Sequence, residues 1–522
     1  MTWPHLSTSL APFLAVLALV LPSGCRSGRV PDDELVVLIE SAPQTIDPRF
    51  TVSAYDYKLS QLVFAPLVTV DDRLEAKMVL AESVAQVSPT EYLVTLREDA
   101  RFSDGRPVTS DDVVYTIGQA RTAATNHLRL RYVEDGLVAI EPEGPRRVRF
   151  RLSHAHAPFV TDLDMGVLAR PAAGHEKDPG VGAGAFVFVS NEHERWRFRP
   201  NPHYAASLGG PPAMRLLTIK VIRDDNSRLM ALAGGSGDLT QNTVSPLLLD
   251  SVLAAQPRLH AVSAQSSVFT YLGLNCEDGV LRDPRVRRAI AYAIDRDRIV
   301  RTKLGGRAVL ATGFLPPLHW AYSGEVERYP HDPARARALL DEAGYKDPDG
   351  DGPRPRFTLL YKTSSNRFRV AIAQVIAAQL AEVGIEVDLR PLEFATFFAD
   401  VKAGNFQLFT MQIPDVAEPE LYTNFFDSSR IPTREAPDRG GNRMRYRSAD
   451  LDQALARGRR DTDRATRIAD YAEVQRILAR DVPVVPLWHE DNVAVTGANV
   501  QGYAVHTTAH LMSLATARKV ER

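Results

Sequence analysis

The pattern that most limits what this chain can fold into is a helix followed at once by a glycine and a strand. Apolar residues recur at helical spacing across 368–383, Gly384 comes directly after them, and residues 385–389 (IEVDL) alternate as a strand does. Because a single glycine separates the two elements, the helix must pack against the sheet that holds the strand. The continuous apolar run Leu35–Ile39 predicts a buried strand. These patterns together predict a mixed α/β protein.

Three further helices are predicted from the residues that begin them. Thr109 and Asp112 have the spacing of a capping box, and Asp283-Pro284 and Asp332-Pro333 each place a capping carboxylate before a proline at the first helical position. Further strands are predicted at residues 91–97, 148–152 and 406–410.

Length and composition exclude several classes of protein. At about 100–200 residues per domain, a chain of 522 residues has room for several domains. The residues are 44% hydrophobic and 24% charged, which is typical of a soluble globular protein and argues against disorder, collagen and a multi-span membrane protein. The net charge of −2 gives no general attraction to nucleic acid, and none is expected as a partner. Cys25 and Cys276 are the two cysteines, too few for a disulfide scaffold or a four-cysteine zinc site.

The first 25 residues predict export and attachment to a membrane. Residues 10–21 carry no charge and are too short for a spanning helix, as in the apolar core of a signal peptide. They lead into Leu21-Pro22-Ser23-Gly24-Cys25, which resembles a bacterial lipobox with Pro22 where leucine is usual. The interpretation is cleavage before Cys25 and lipidation of its thiol, which anchors the body to the membrane. A plain signal peptide with an incidental cysteine, or a short hydrophobic N-terminal segment, stays open.

A long motif indicates the family. Residues 96–113 (LREDARFSDGRPVTSDDV) resemble the signature L-R-x-x-x-x-F-x-D-G-x-P-x-T-x-x-D-V of the large bacterial solute-binding proteins of family 5, the peptide/nickel-type receptors of ABC importers, and meet every specified position. The resemblance covers about residues 35–510. Its further markers are Gln44–Pro48, Phe64–Leu67, Gly182–Phe186, Leu274-Asn275, Asp283–Arg296, Ala343–Tyr345 and Val383–Ile385.

The resemblance implies a periplasmic-binding-protein-like fold of two lobes with an additional inserted domain. On that basis residues 1–24 are the signal peptide, 25–34 a tether, 35–66, 168–268 and 490–522 a discontinuous lobe I, and 67–167 the inserted domain. Lobe II then covers residues 269–489, with hinge crossovers near Phe269–Asn275 and Val482–His489. The lobes are expected to close on a ligand, because a ligand that touches both lobes favours the closed state.

The resemblance also implies a function. The expected protein is a monomeric, non-catalytic receptor of the periplasm, or of the outer face of the cytoplasmic membrane. It captures a dipeptide or oligopeptide and delivers it to the permease subunits of an ABC importer. A receptor for another small solute (a nickel chelate, haem or a sugar) and a ligand sensor stay open as alternatives, and a hydrolase is a remote one.

Ligand contacts are predicted from the same resemblance. In peptide-binding members a carboxylate in a D-x-x-[D/E]-P segment holds the ligand's ammonium, and Asp415 and Glu418 are at the matching positions, with Gln412 where the family often has tryptophan. A charged ammonium that leaves water needs a fixed opposite charge. The loop at 40–44, with Ala42 and Pro43, is expected to present backbone groups to an extended peptide. Cleft aromatics are expected at Tyr422 and Trp488, and His489 near the hinge is a further candidate.

No cofactor, metal centre or catalytic residue is predicted. His154 and His156 are interpreted as part of a solvated turn, and residues 347–352 begin like a calcium loop but have Thr358 where a bidentate glutamate is needed. Gly234–Asp238 lacks the last glycine of a G-x-S-x-G elbow. With Cys25 lipidated, Cys276 is left as the one unmodified cysteine and suits a buried structural role.

Overall fold

The computed structural model describes residues 30–51, 53–121, 136–171, 181–350, 352–414, 416–433, 435–436 and 440–520. Its α-helices are α1 Ala54–Val63, α2 Ser110–Ala120, α3 Asp225–Gly234, α4 Pro246–Ala255, α5 Pro284–Ala293, α6 Arg296–Lys303, α7 Pro333–Glu342, α8 Arg367–Ala381, α9 Phe394–Ala403, α10 Leu421–Phe426, α11 Ala449–Arg460 and α12 Arg464–Asp481. Short 3-10 helices lie at Ala157–Val160, Ala206–Leu208, Ser428–Arg430 and Met512–Ala515.

The strands are β1 Glu34–Ile39, β2 Val68–Val70, β3 Ala76–Met78, β4 Ala81–Ser88, β5 Glu91–Leu96, β6 Leu137–Pro142, β7 Arg147–Leu152, β8 Phe186–Glu192, β9 Arg195–Pro200, β10 Leu216–Val221, β11 Leu239–Gln241, β12 Leu259–Gln265, β13 Phe269–Leu274, β14 Ala308–Leu310, β15 Phe357–Ser364, β16 Ile385–Leu392, β17 Leu408–Ile413, β18 Val484–Gly497, β19 Val500–Gln501 and β20 Arg518–Lys519.

Helix starts follow the capping side chains as predicted. Thr109 and Asp112 form the capping box of α2, in which the Thr109 backbone N–H donates to Asp112 Oδ2 at 2.9 Å. The carboxylates of Asp283 and Asp332 accept from backbone N–H groups in the first turns of α5 and α7. Each cap satisfies a donor that has no partner inside its helix.

One large sheet connects two halves through a single strand. Residues Val484–Glu490 of β18 pair with β13 and β14, and residues Asp491–Gly497 pair with β11 and β12. The first half continues from β13 through β17 and β15 to β16, and the second half from β11 through β1, β10 and β9 to β8. The chain passes between the halves at residues 266–268, between β12 and β13, and passes back within β18. We call the half with β1 lobe I and the half with β15 lobe II.

A separate four-stranded sheet lies between β1 and β8 in the sequence. Its strands run in the order β4, β5, β7, β6, and they enclose a hydrophobic core with α2. Gly182 packs closely on Val63 of α1, where this region meets lobe I. A Cβ atom at Gly182 would lie 2.0 Å from the Val63 carbonyl oxygen, so a larger residue does not fit there. The sheet falls inside the range 67–167 predicted for the inserted domain, and the domain boundaries themselves stay predictions.

Two local predictions need correction. The strand predicted at 406–410 is observed at Leu408–Ile413, since Phe406 packs in the core before the strand begins. His156 does not belong to a solvated turn: it is buried, and its Nε2 lies 2.7 Å from Asp162 Oδ2, whereas His154 is exposed. Within the described ranges, no helix has the length and apolar character needed to cross a lipid bilayer.

Candidate functional site

The junction of the two lobes brings together the carboxyl ends of parallel strands, where ligands bind in open α/β sheets. In lobe II, β15 and β17 are parallel neighbours, and in lobe I β1 lies parallel to β10 and β11. Glu490 and Asn492 are alternate residues of β18, so their side chains point to the same side, about 7 Å apart. Glu490 contacts lobe II, and Asn492 accepts from the side chain of Asn242 after β11 at 2.8 Å. The carboxyl ends of the lobe II strands and those of the lobe I strands therefore meet at Glu490–Asn492 of β18.

Lobe II contributes a polar cluster centred on Glu490, which we call the Arg369–Glu490 cluster. Arg369 donates from Nη1 to Glu490 Oε1 at 3.2 Å and from Nη2 to Gln412 Oε1 at 2.8 Å. Thr270 Oγ1 and Trp488 Nε1 donate to the same Glu490 oxygen at 3.1 Å and 3.2 Å. Neither member of the ion pair is fully enclosed, with side chains 22% exposed at Arg369 and 20% at Glu490. A ligand at the junction can therefore reach them.

The electrostatics of the cluster keep Glu490 ionised. Burial by itself raises the pKa of this carboxyl, but the charge of Arg369 and the hydrogen bonds from Trp488, Arg369 and Thr270 outweigh it, so the pKa lies below its usual value. The guanidinium carries five N–H donors and its bonds to Glu490 and Gln412 use two of them. Arg369 can therefore hold a carboxylate of a ligand while it stays paired with Glu490.

Lobe I contributes the loop that follows β1. Tyr55 donates its hydroxyl to Glu40 Oε2 at 2.5 Å, and burial together with the Glu40 charge raises the pKa of Tyr55 well above its usual value. The Gln44 backbone N–H donates to Asp56 Oδ1 at 2.7 Å. Ala42 is exposed and Pro43 buried, and in the described part of the chain no hydrogen bond uses the backbone of Ala42. Its N–H and C=O are available to an extended ligand.

The segment after β17 carries the predicted carboxylates. Asp415 lies outside the described residues. Its neighbour Val416 donates its backbone N–H to the Ser267 carbonyl at 3.2 Å, which places this segment beside the crossover between lobes. Glu418 is bonded on both oxygens: Thr161 Oγ1 donates to Oε2 at 3.2 Å, and Arg467 pairs with Oε1. Glu418 therefore joins lobe II to the region of the four-stranded sheet.

Two ion pairs connect lobe II to other parts of the chain at its edges. Arg464 on α12 pairs with Glu75 before β3 at 2.6 Å, and Arg307 of lobe II pairs with Asp250 on α4 of lobe I. The Arg307–Asp250 pair holds lobe II against lobe I, and the Arg464–Glu75 pair and the Thr161–Glu418 bond hold it against the segment 67–167.

The predicted aromatic and histidine contacts lie deeper than the junction. Trp488 and His489 are fully buried, and the Trp488 side chain contacts the cluster through its indole N–H. His489 Nδ1 lies 3.0 Å from the Val268 carbonyl oxygen, and burial lowers the pKa of His489 to about 4, so the ring is neutral at physiological pH. Tyr422 lines a cavity inside lobe II. As ligand contacts these three residues stay predictions.

The sequence did not lead us to Arg369 or to Thr270. Arg369 lies in the first turn of α8, directly after the end of β15, and Asn366 caps that turn. A strand followed by an asparagine cap and a helix indicates that the first turn of the helix lies at the carboxyl end of the strand. Because β15 was not among the predicted strands, the signal was missed. No role was predicted for Glu490, although it directly follows the predicted contacts Trp488 and His489.

The described residues give little support for a metal site or for a reactive thiol. No group of three or more histidine, cysteine, aspartate or glutamate side chains there could hold a metal ion. Cys276 is a free cysteine, and burial raises the pKa of its thiol to about 11, so the thiol stays protonated and unreactive at neutral pH.

Comparison with known proteins gives likenesses along most of the chain. Residues 75–432 match the family described as bacterial extracellular solute-binding proteins, family 5 middle. Protein XP55 of Streptomyces lividans is 31% identical over 89% of this chain and 84% of its own length. The probable D,D-dipeptide-binding periplasmic protein DdpA of Escherichia coli is 27% identical, over 95% of this chain and 96% of its own.

Solved structures confirm the expected two-lobe fold class with its inserted domain. The oligopeptide-binding protein AppA of Bacillus subtilis, solved with a nonapeptide, has a TM-score of 0.72 at 24% identity and covers 94% of this chain and 99% of its own. NikZ of Campylobacter jejuni, solved with Ni(L-His), has a TM-score of 0.77 at 23% identity. The match covers 94% of this chain and 100% of the NikZ chain.

Proposed function

Because this chain belongs to the bacterial extracellular solute-binding proteins of family 5, we propose that it captures a short peptide between its lobes and delivers it to an ABC import permease. Relatives with names that specify dipeptides or oligopeptides support the choice of peptide. The observation that carries the proposal is the Arg369–Glu490 cluster, which holds a partly exposed guanidinium at the junction of the lobes.

A peptide offers one charge of each sign to this junction. The carboxylate at its C-terminus is the partner for the free donors of Arg369. Its ammonium is the partner for Asp415, the carboxylate suggested by the family motif, since Glu418 is occupied by Arg467 and Thr161. The backbone of Ala42 supplies hydrogen bonds along the chain of the ligand.

The proposed mechanism is closure of one lobe on the other. The lobes share β18 and the crossover at 266–268, so the backbone there is where rotation occurs. A ligand bound to Arg369 on lobe II and to the loop at 40–44 on lobe I binds fully only when the lobes are closed, and it shifts the population toward that state. The permease then binds the closed form. This division of labour needs no catalytic residue.

The test uses calorimetry with matched peptides. A tripeptide with free ends is compared with its N-acetylated and C-amidated forms, on wild type, Arg369→Met and Asp415→Asn. We expect Arg369→Met to weaken the free-acid peptide about tenfold or more and to leave the amide nearly unchanged, since a charged hydrogen bond contributes about 1.5–3 kcal/mol. Asp415→Asn should do the same for the free amine against the acetylated form. Arg367→Met, an exposed neighbour on the same helix, is the control.

Two further measurements complete the test. Native mass spectrometry of protein purified without refolding weighs any ligand that stays bound, and small-angle scattering follows compaction when ligand is added. Failure of every peptide to bind, with a different solute found by mass spectrometry, would refute the peptide assignment and keep the receptor role. Peptides returned cleaved would refute the receptor role itself.

We further propose that the mature protein is a monomer held at the membrane by a lipid on Cys25, outside the described residues. Two acyl chains are enough for stable anchoring. Cys25→Ser should move the protein from the membrane fraction to the soluble fraction. If that variant stays with the membrane as wild type does, the anchor is elsewhere.

A further inference from the structure

Lobe II contains a cavity outside the Arg369–Glu490 cluster, and of the predicted peptide contacts Tyr422 lines it. Its volume is about 330 Å³, and all the residues around it lie between Ile294 and Pro486. Arg369, Gln412 and Glu490 do not line it. A ligand in this cavity would therefore touch only one lobe and would not compete with a ligand held at the junction.

Part of the cavity wall is apolar and aromatic. Phe314, Tyr422 and Phe426 pack against each other, with ring centroids 4.9 Å apart for Phe314 and Tyr422. Leu478 and Val484 add aliphatic surface from α12 and β18. Flat aromatic walls of this kind favour a flat aromatic guest, which stacks on them or meets them edge to face.

One buried polar atom on the wall has no partner. Tyr422 is 1% exposed, and its hydroxyl makes no hydrogen bond in the described part of the chain, although the backbone N–H groups of Phe314 and Leu315 lie nearby. It lies on the cavity wall beside Gly313, where an added Cβ would come within 3.7 Å of it. A buried hydroxyl without a partner is costly, so a guest that pairs with it gains free energy.

The charges around the cavity favour an uncharged guest. Asp297 and Glu327 are matched in number by Arg296 and Arg328, and His331, which also lines the cavity, lies 3.9 Å from Asp295 Oδ2. The Arg296 guanidinium already donates to the carbonyls of Ala311 at 2.8 Å, Pro486 at 2.7 Å and Tyr329 at 3.2 Å, so it has little to offer an anion.

We propose that the lobe II cavity is a second binding site, for an uncharged aromatic molecule of two fused rings that carries one hydrogen-bonding group. The size follows from volume: an apolar cavity of about 150 Å³ holds one benzene ring, so a cavity of about 330 Å³ has room for two. The hydrogen-bonding group of the guest pairs with the Tyr422 hydroxyl. Indole is the simplest molecule that meets these conditions.

The test measures indole and 1-methylindole binding to the full chain by calorimetry and ligand-observed NMR. Ala479, which lines the cavity on α12, is replaced by phenylalanine to fill the space, and the exposed Ala469 on the same helix carries the same change as a control. We expect one saturable site for indole, at least tenfold weaker binding in Ala479→Phe, and no change in Ala469→Phe. In Tyr422→Phe the preference for indole over 1-methylindole should fall about three- to tenfold.

Four results would overturn the proposal: no saturable indole binding at millimolar concentration, equal binding by Ala479→Phe, an unchanged preference in Tyr422→Phe, or displacement of indole by a ligand bound at the lobe junction. Thermal unfolding of each variant identifies one that fails to fold. In that case Ala311→Leu, at another residue that lines the same cavity, replaces Ala479→Phe.

Discussion

Replacing Arg369 by methionine tests the electrostatics of the lobe junction without reference to any ligand. Methionine keeps most of the length of the side chain and removes its charge. Glu490 would then keep the bonds from Thr270 and Trp488 and lose its only cation in the cluster. Because burial is the largest influence on Glu490 and acts to raise its pKa, we expect the pKa to move from below its usual value to above it.

The magnitude follows from the exposure of the pair. Breaking a fully buried ion pair costs about 3–5 kcal/mol. With side chains 22% and 20% exposed, water still reaches both groups, so we expect a loss of about 2 kcal/mol in the free energy of unfolding at neutral pH.

The loss should depend on pH in a definite direction. In wild type the folded-state pKa of Glu490 is lowered, so its contribution to stability is present above the unfolded pKa and disappears as pH falls through the folded value. In Arg369→Met the folded pKa is raised, so the penalty is present at neutral pH and is relieved by protonation. The stability difference between the two proteins should therefore shrink on acidification.

Urea unfolding at about pH 7 and about pH 4.5 measures this difference. Arg367→Met, which removes an exposed arginine two residues earlier on α8, should change stability little at either pH. A difference between wild type and Arg369→Met that is the same at both pH values would refute the assignment of Glu490 as the group left unpaired.

Three other predictions concern the hinge, the edges of the lobes and the join to the inserted sheet. Burial lowers the pKa of His489 to about 4, so unfolding should become easier as pH falls below about 6.5, where the unfolded histidine binds a proton. His489→Phe should remove that part of the pH dependence. If the pH dependence of urea unfolding is the same in His489→Phe as in wild type, His489 is not a buried neutral ring. Glu75→Arg and Arg464→Glu should each weaken ligand binding by less than about fivefold, since exposed ion pairs contribute at most about 1 kcal/mol. The double exchange should restore the affinity in calorimetry, and failure to do so would mean that the pair between lobe II and the segment 67–167 does not stabilise the closed state. A Cβ at Gly182 would lie 2.0 Å from the Val63 carbonyl oxygen, so Gly182→Ala should lower the free energy of unfolding by about 1–3 kcal/mol. Gly118→Ala is the control: its new Cβ has no heavy atom within 4 Å, so it should be neutral or slightly stabilising.

Local elements could be predicted well because their causes lie within a few residues. The capping box of Thr109 and Asp112 and the caps at Asp283 and Asp332 satisfy backbone donors two or three residues away, and all three helices begin where predicted. The helix, glycine and strand around Gly384 are also observed, with the glycine in the left-handed conformation that ends the helix turn.

The site could be predicted only in part, since its residues come from distant segments. Arg369 and Glu490 are 121 positions apart, and they meet because α8 follows β15 while Glu490 lies on the shared strand β18. No pattern near Arg369 distinguishes it from the exposed Arg367. Glu418, which the motif predicts as a ligand contact, is bonded to Thr161 from a segment 257 positions away, and no local pattern indicates that bond.

By itself the sequence determined the family, the α/β class and the positions where helices begin, because caps, periodicity and a long fixed motif are properties of neighbouring residues. Only the tertiary structure decided which charges face each other at the junction of the lobes and that, among the described residues, the Tyr422 hydroxyl on the cavity wall is left without a hydrogen-bond partner. The physical reason is strand register: the pairing of β18 with both half-sheets sets distances between residues that are more than a hundred positions apart, and no local preference encodes those distances.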